Sequence, residues 1–386
     1  MATMKNTMNT ARLWVHNFLF PLLIFTVVLL TATTVPSRAE TITIGKGSGI
    51  VWEGMPFNVT LSGSMGSTAL VTSYGLLSIS HNGGSCISVG LSMVTIAGYQ
   101  VYLIAPGVGI IPRATGIANY VRYDGTQETL TGTIGLPQSA GTTTAGAVIS
   151  NPFNPGATGG GSALTWCLPP AMSDVDPFYN ASAPRTAMIS GTWAIVATGS
   201  QTSREVALRP MFAGSYSASN TGDKIQQIFP SNITLRISTL MCSVATTTAI
   251  DFGAVRRNTQ AGAEMAMRSY PLIVSCSQPS DMINANINVQ FRAISGLYNS
   301  TPSRLALTQG GGYITGEIDH GVTGSGVCSG TGGIPFDNTQ LKVGSISAAE
   351  TTKTTSNNVI WRLCSGGTAL PVGAVDASAE MLVTFN

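Results

Sequence analysis

Short runs rich in β-branched and aromatic residues recur along the chain, and they constrain its fold more than any other feature. Examples are residues 101–104, 187–197 and 232–238, which are separated by clusters of Gly, Pro, Asn and Ser. Such runs are typical of β-strands. Beyond residue 39, no stretch keeps apolar residues at the helical i, i+3, i+4 and i+7 spacing for three turns. The pattern predicts an all-β protein with few and short helices.

The charge content favours the same fold class. Charged residues make up 9% of the chain, whereas about 25% is usual in globular proteins. Helical surfaces normally use Glu, Lys and Arg, so this composition favours strands. Residues 40–386 carry 16 basic and 17 acidic side chains. They contain no basic cluster of the kind that binds nucleic acid, and we expect no nucleic-acid partner.

The first 39 residues have the three parts of a secretory signal peptide. Lys5 and Arg12 form a positively charged start, residues 18–30 are almost entirely apolar, and Ser37 and Ala39 are the small residues before a cleavage site. A membrane anchor is the alternative, but the apolar run is shorter than the roughly 20 residues that span a bilayer. We predict export and cleavage after Ala39.

The 347 residues that follow are enough for two domains of the usual size of about 150 residues. We place the boundary near Ser238, just after the alternating apolar residues 233–237. This gives a first domain of residues 40–238 and a second of residues 239–386, both expected to be β-sandwiches. The Gly- and Thr-rich segment 141–161 is expected to be a long loop within the first domain.

Six cysteines lie beyond residue 39: Cys86, Cys167, Cys242, Cys276, Cys328 and Cys364. An even number of cysteines in an exported chain favours disulfides, with buried free thiols as the alternative. We expect three disulfide bonds.

The last fourteen residues alternate strictly between two faces. One face carries Val375, Ala377, Ala379, Met381, Val383 and Phe385. A period of two residues predicts a half-buried β-strand at this end of the chain.

This segment resembles the terminal strand of chaperone–usher pilins, which have a glycine fourteenth from the end and an aromatic residue next to last. Gly373 and Phe385 occupy those two positions, with Phe where the family usually has Tyr. Upstream, Cys242, the Asp-Phe-Gly segment 251–253 and the strand-like run 272–276 follow the order of the pilin pattern. Another disulfide-bonded sandwich is the alternative for residues 239–386.

The resemblance implies an incomplete pilin fold, an immunoglobulin-like sandwich that lacks its last strand. A periplasmic chaperone would lend that strand, and an adjacent fimbrial subunit would replace it after delivery to the outer-membrane usher. Nothing after Asn386 is expected to supply the strand. Gly373, Met381, Val383 and Phe385 are the expected residues of the assembly strand.

The resemblance also implies a pairing of the cysteines. Pilin spacing pairs Cys242 with Cys276. Keeping every disulfide within one domain then pairs Cys86 with Cys167 and Cys328 with Cys364.

About 200 residues precede the pilin-like part, where ordinary pilins have a short donor strand. In this arrangement the chain resembles two-domain fimbrial tip adhesins, whose front domain is a lectin. The resemblance implies an exported protein at the tip of a fimbrium on the cell surface, which mediates cell adhesion by binding host glycans. The alternative is a structural minor subunit without a ligand of its own.

Candidate ligand-binding residues combine aromatic rings with carboxylate or amide groups. In N-acetylglucosamine-binding fimbrial lectins, a tryptophan just before the second cysteine lies at the sugar site, and Trp166 has that position. The other candidates lie in two loops: Asp174, Asp176, Tyr179 and Asn180 in one, Tyr123 and Asp124 in the other. Turn formation is the alternative for both loops, and a core tryptophan packed on a disulfide is the alternative for Trp166.

The composition does not indicate an enzyme. Beyond residue 39, the histidines are His81 and His320, one in each expected domain, so neither a catalytic triad nor a histidine metal cluster is suggested. Asp174 and Asp176 are too close in sequence to favour the acid and base of a glycosidase. We expect no cofactor and no metal.

Overall fold

The computed structural model describes residues 40–69, 75–81, 87–88, 93–149, 163–164, 166–169, 177–217 and 222–386. Within these ranges the structure consists of 25 strands and one short 3₁₀ turn, Tyr298–Ser300, so the predicted all-β class is confirmed. None of the described residues forms a helix long and apolar enough to cross a membrane.

The first seventeen strands lie before Ser238. They are β1 (Glu40–Ile44), β2 (Ser48–Ser64), β3 (Leu77–Ser80), β4 (Ile87–Ser88), β5 (Met93–Ile96), β6 (Tyr99–Ala105), β7 (Val108–Val121), β8 (Gln127–Gly135), β9 (Ala140–Thr143), β10 (Val148–Ile149), β11 (Ala163–Leu164), β12 (Trp166–Leu168), β13 (Pro184–Thr198), β14 (Arg204–Ala207), β15 (Met211–Ser215), β16 (Lys224–Phe229) and β17 (Ile233–Ile237).

The remaining eight strands follow it. They are β18 (Met241–Ala245), β19 (Glu264–Ser277), β20 (Ala285–Ala293), β21 (Leu305–Ala306), β22 (Gly312–Ile318), β23 (Leu341–Ile346), β24 (Thr352–Ser365) and β25 (Ala379–Phe385).

The front part contains an eight-stranded sheet and a four-stranded sheet. The larger has the order β10-β9-β8-β7-β13-β2, with β6 also paired to β7 and β5 to β6; the smaller has the order β12-β3-β15-β16. In β13, Ala187 and Ile189 are buried whereas Met188 and Ser190 are exposed, as the period of two requires. A two-stranded sheet pairs β4 with β11.

Part of the segment predicted as a long loop is a hairpin. β9 and β10 pair within it, and Thr143 N–H donates to the carbonyl of Ala147 at 2.9 Å. Gly146 has φ +88°, which a glycine adopts without strain. The threonines give the segment a high strand propensity that outweighs its glycines. Residues 150–161 lie outside the described residues.

The second part contains a five-stranded sheet, β18-β19-β24-β22-β21. Facing it, β25, β20 and β23 belong to a six-stranded sheet with the order β14-β17-β1-β25-β20-β23. That sheet therefore combines strands from both sides of Ser238. Its two portions meet where β1 lies beside β25, at the pair Thr43 and Phe385.

The large apolar cores also fall on either side of Ser238. One consists of residues between Ile42 and Ile237, and the other of residues between Leu240 and Phe385. Glu40–Asn386 nevertheless form one compact unit, so the division into two domains near Ser238 stays a prediction.

Two disulfides close the second part, Cys242–Cys276 and Cys328–Cys364, with Cα–Cα distances of 4.0 and 5.6 Å. These are the two pairs that the sequence analysis expects there. Cys167 is also disulfide-bonded. Its expected partner, Cys86, lies outside the described residues.

Candidate functional site

An open groove runs along the second part of the molecule, between β25 and the segment 246–250 that follows β18. The cavity in this groove has a volume of about 550 Å³. The residues that line it carry no charge: Thr246, Thr247, Thr248, Ala249, Ile250, Phe252, Leu272, Phe291, Leu305, Ile314, Val359, Trp361, Ala377, Ser378, Ala379 and Met381. Such a surface suits an apolar, uncharged occupant.

The floor of the groove is the core of this part of the molecule. Leu272, Phe291, Leu305 and Val359 all line the cavity and all belong to the main core cluster. Phe291 packs edge-on against Trp361, with ring centroids 6.0 Å apart. In the described part of the chain, no strand lies over these side chains between β25 and β18. The core is therefore accessible along a strip that a strand could fill.

The backbone of β25 offers one of its edges to the same strip. Its other edge pairs with β20, from Ile287 opposite Phe385 to Ala293 opposite Ala379. The amide of Ile294 donates to the carbonyl of Ser378 at 2.9 Å, and that of Asn286 to the carbonyl of Asn386 at 2.8 Å.

Hydrogen-bonded and non-hydrogen-bonded pairs alternate along antiparallel strands. The even-numbered residues of β25 therefore bond to β20, and Ala379, Met381 and Val383 direct their backbone N–H and C=O groups toward the groove. Among the described strands, β1 pairs with this edge, and only at Phe385. The three residues thus present an unpaired strand edge beside an apolar floor.

The structure gives the predicted assembly strand a shorter extent than the sequence pattern does. β25 begins at Ala379, whereas the alternation begins at Val375. Before it, the chain crosses to residues 305–309, where Thr308 N–H donates to the carbonyl of Asp376 at 2.8 Å. Hydrogen bonds from Gln309 and Thr308 lower the pKa of the Asp376 carboxyl group. This crossing keeps residues 373–376 out of the sheet.

The four predicted assembly residues have different environments. Phe385 is 6% exposed and lies in the core, and Met381 and Val383 are half-buried against it. Gly373 is exposed, with φ +107°, a backbone conformation that other residues rarely adopt.

The opposite side of the groove contains the Asp-Phe-Gly segment from the sequence analysis. Phe252 lines the cavity. The segment turns at Gly253, whose N–H donates to Asp251 Oδ1 at 2.7 Å, and the guanidinium of Arg268 donates to the carbonyl of Phe252 at 2.8 Å. These contacts fix Phe252 at the groove.

Two of the predicted ligand-binding residues lie in the core of the front part. Trp166 is 4% exposed, packs edge-on against Trp193 at 6.3 Å, and donates from Nε1 to the carbonyl of Gln100 at 3.1 Å. Tyr179 is 3% exposed, and burial raises the pKa of its hydroxyl group. Neither ring presents a face to solvent, because both are packed against other aromatic side chains.

The structure brings together the two loops that contain the predicted ligand-binding residues. Tyr123 N–H donates to the carbonyl of Phe178 at 2.7 Å, and Asn180 N–H donates to that of Val121 at 3.0 Å. Tyr123 is 59% exposed. These backbone bonds place Tyr123 and Asn180 on adjacent segments of the two loops.

The polar side chains of these loops also stabilise turns. Asp124 Oδ1 accepts a hydrogen bond from Thr126 N–H at 2.9 Å, which lowers the pKa of Asp124. Asn180 Oδ1 accepts from Ser182 and Ala183, both at 3.1 Å. The remaining candidates, Asp174 and Asp176, lie outside the described residues, so the ligand-binding assignment stays a prediction.

A polar network that the sequence pattern does not reveal joins the two parts of the molecule. The buried carboxylate of Glu53 accepts from Arg113 Nε at 3.1 Å, Thr192 Oγ1 at 2.7 Å and Asn338 Nδ2 at 3.1 Å. Its backbone carbonyl accepts from Gln290 Nε2 at 3.0 Å. Residues from both sides of Ser238 therefore share one buried anion.

Comparisons with known proteins give remote structural matches. No protein-family model matches the chain, and no curated protein matches it. It is similar to the CupB6 tip adhesin from Pseudomonas aeruginosa, with a TM-score of 0.28 and 13% identity, over 88% of this chain and 87% of that one.

Two further matches concern CFA/I fimbriae. One is a chaperone–tip adhesin complex that is vital for synergistic activation of CFA/I fimbriae biogenesis, with a TM-score of 0.22, 9% identity, and coverage of 89% of this chain and 94% of that one. The other is a mutant of the enterotoxigenic E. coli adhesin CfaE, with a TM-score of 0.18, 10% identity, and coverage of 89% and 96%. All these TM-scores are low, and the matches carry no argument about the function of this chain.

The described residues contain no group of His, Cys, Asp and Glu side chains that could hold a metal ion.

Proposed function

We propose that this chain is a tip adhesin of a chaperone–usher fimbrium. Residues 239–386 act as an incomplete pilin domain that accepts a strand from another protein, and residues 40–238 bind the target. The observation that carries the proposal is the uncharged groove over core residues, bordered by the unpaired edge of β25.

The groove has both features that strand addition needs. Unpaired N–H and C=O groups at Ala379, Met381 and Val383 provide backbone hydrogen bonds, and the apolar floor accepts alternate side chains of the incoming strand. Burying one large apolar side chain contributes about 1.5–3 kcal/mol, so three would contribute roughly 5–9 kcal/mol before the cost of ordering the strand. An open groove of this kind also promotes aggregation, because exposed strand edges pair with other chains.

We propose three assembly partners on this basis. A periplasmic chaperone fills the groove after export, the outer-membrane usher receives the complex, and an adjacent fimbrial subunit then donates its own strand. β1 is held between β17 and β25, so this segment is not free to complement a neighbouring subunit. That supports a position at the tip.

The front part is proposed to bind host glycans at the joined loops that contain Tyr123, Asp124 and Asn180. Tyr123 provides an exposed ring for the C–H face of a sugar, and the polar side chains provide hydrogen-bond acceptors. The burial of Trp166 and Tyr179 favours the alternative, a structural minor subunit, because it removes two of the predicted stacking rings.

Expression in the periplasm tests the assembly half of the proposal. Residues 40–386 should be degraded or aggregated when produced alone and soluble when the cognate chaperone is co-produced. Equal yields of soluble monomer under both conditions would contradict a strand-accepting groove.

A glycan array tests the other half. Chaperone-bound protein should bind a defined set of glycans, and Tyr123→Ala should reduce that binding while the yield of the complex is unchanged. Absence of binding to any glycan, together with absence of adhesion to cells, would support the structural-subunit alternative.

A further inference from the structure

The strand β1 occupies the edge of β25 at one end of the groove. β1 pairs in parallel with β17 along its whole length, and Ser238 N–H donates to the carbonyl of Ile44 at 2.9 Å. Neighbouring residues of a strand direct their backbone groups to opposite edges. Thr43 therefore faces the other way, toward β25, where it pairs with Phe385.

The chain leaves this edge immediately after Thr43. Lys46 N–H donates to the carbonyl of Leu240 at 2.8 Å, and the buried side chain of Gln201 donates from Nε2 to the carbonyl of Gly45 at 3.0 Å. A Cβ atom added at Gly45 would lie 2.2 Å from the oxygen of Leu240 and 3.0 Å from the ring of Phe385. The backbone of Gly45 therefore packs so closely against Leu240 and Phe385 that no side chain fits there.

β1 is also firmly fixed. Ile42 and Ile44 are 3% and 0% exposed and belong to the core of the front part. Displacing β1 from Phe385 would expose these side chains and break its parallel ladder with β17. Because burial of apolar side chains is a main source of stability, an incoming strand gains more by ending before β1 than by replacing it.

We propose that β1 is a stop that sets the length and register of the strand in the groove. This inference rests on the proposed function. The incoming strand pairs along residues 377–383 and ends opposite Val383, where Thr43 and Gly45 block its path. A slip of one residue would turn its apolar side chains away from the floor, so the floor alone accepts only registers that differ by two residues. A fixed end selects one of these registers.

The chemistry of the partner follows from this stop. The partner segment that pairs with residues 377–383 has a similar length and carries apolar side chains at alternate positions. A longer strand must bend out of the groove at Val383 and contribute no further pairing there. The stop therefore favours subunits whose alternating apolar segment ends at the matching position.

Synthetic peptides provide the probe. A peptide of alternating apolar and polar residues that spans 377–383 is compared with peptides extended by two residues at either end. Their dissociation constants for residues 40–386 are measured by displacement of a weaker complementing peptide that keeps the protein soluble. Extension at the end facing Thr43 should change the constant by less than about twofold. Hydrogen exchange should show that the amides added at that end stay unprotected.

Two proline variants provide the matched comparison. Thr43→Pro removes the N–H that faces Phe385, whereas Thr41→Pro places proline at the same edge of β1 beyond the last paired residue of β25. Because Ile42, Ile44 and the ladder with β17 hold β1 in place, the extended peptide should bind Thr43→Pro, Thr41→Pro and the wild type within about twofold of one another. Markedly tighter binding to Thr43→Pro alone would show that a single hydrogen bond, and not the strand itself, limits the peptide, and would overturn the stop.

An extended peptide that binds wild-type protein more tightly, with protected amides at the end facing Thr43, would overturn the stop while leaving the strand-accepting groove intact. If Thr43→Pro fails to fold, the hydrogen exchange of the wild-type complex decides the question alone. Failure of every peptide to bind would overturn the proposed function and the stop together.

Discussion

Phe385→Ala removes the deepest apolar anchor of the assembly strand. Phe385 is 6% exposed, belongs to the core of the second part, and lies between Ile287 on β20 and Thr43 on β1. The substitution deletes the ring and leaves the backbone of β25 able to form its hydrogen bonds. Its effect therefore reports the packing of the ring.

The size of the effect follows from burial. Replacing a core Phe by Ala costs about 3–5 kcal/mol, including the cavity that remains. Domains are stable by only about 5–15 kcal/mol, so a large share of the stability of this part is lost. We expect the free energy of unfolding to fall by about 3–5 kcal/mol and the amount of protein on the cell surface to fall with it.

Urea unfolding of residues 40–386, kept soluble by a complementing peptide, measures the first quantity, and surface labelling of intact cells measures the second. Phe385→Tyr is the matched control. It keeps the ring, and its hydroxyl group can extend into the neighbouring cavity of about 310 Å³ that Phe385 lines. We expect this variant to unfold within about 1.5 kcal/mol of the wild type.

The reasoning would be refuted if Phe385→Ala unfolded within about 0.5 kcal/mol of the wild type, the range of ordinary surface substitutions. Normal surface display of Phe385→Ala would refute its role as an anchor of the assembly strand.

Three further predictions concern other parts of the molecule. Trp166→Ala should lower the free energy of unfolding by about 3–5 kcal/mol because the ring is buried, whereas Tyr123→Ala should weaken adhesion and leave the free energy of unfolding in urea within about 0.5 kcal/mol of the wild type. Loss of adhesion in Trp166→Ala with unchanged stability would restore Trp166 as a ligand-binding residue. Glu53→Ala should cost about 3–5 kcal/mol in the same assay, because it leaves buried donors without their anion, and an unchanged midpoint would show that the network contributes nothing. Hydrogen bonds from Lys353 and Ser347 lower the pKa of Glu350 from 4.5 to about 2. A lowered pKa stabilises the fold above pH 4.5, and this contribution is lost as the pH falls from 4.5 to 2. Glu350→Gln should therefore flatten the curve of melting temperature against pH over that range, and a curve identical to that of the wild type would contradict the assignment.

The sequence pattern predicted the strands better than it predicted their neighbours. The alternation before Asn386 gave β25 because a half-buried strand has a period of two, and that signal is local. It did not reveal that residues 373–376 lie outside the sheet, because the partner of Asp376, Thr308, is about seventy residues away in the chain. Register and crossing points depend on such long-range contacts.

The sequence indicated that a groove should exist but not which residues form it. The resemblance to pilins implied a missing strand, yet its floor comes from Phe291 on β20 and Trp361 on β24, which no motif connects. The same limit applies to Glu53, a buried carboxylate whose partners are distant in sequence. Trp166 and Tyr179 show the opposite case, because aromatic residues suited to sugar stacking are equally suited to a core, and only the packing distinguishes the two.

Thermal unfolding of residues 40–386, with and without a strand peptide that spans 377–383, tests the central claim most directly. The account predicts aggregation or a low melting temperature for the chain alone and a rise of several degrees with the peptide at about 100 times its dissociation constant, where binding contributes about 2.7 kcal/mol. Ala379→Arg, which places a charge in the groove, should abolish the rise, and Ala374→Arg, which lies outside the lining, should keep it. A chain that is monomeric and cooperatively folded on its own, with a melting temperature that the peptide does not change, would contradict the account.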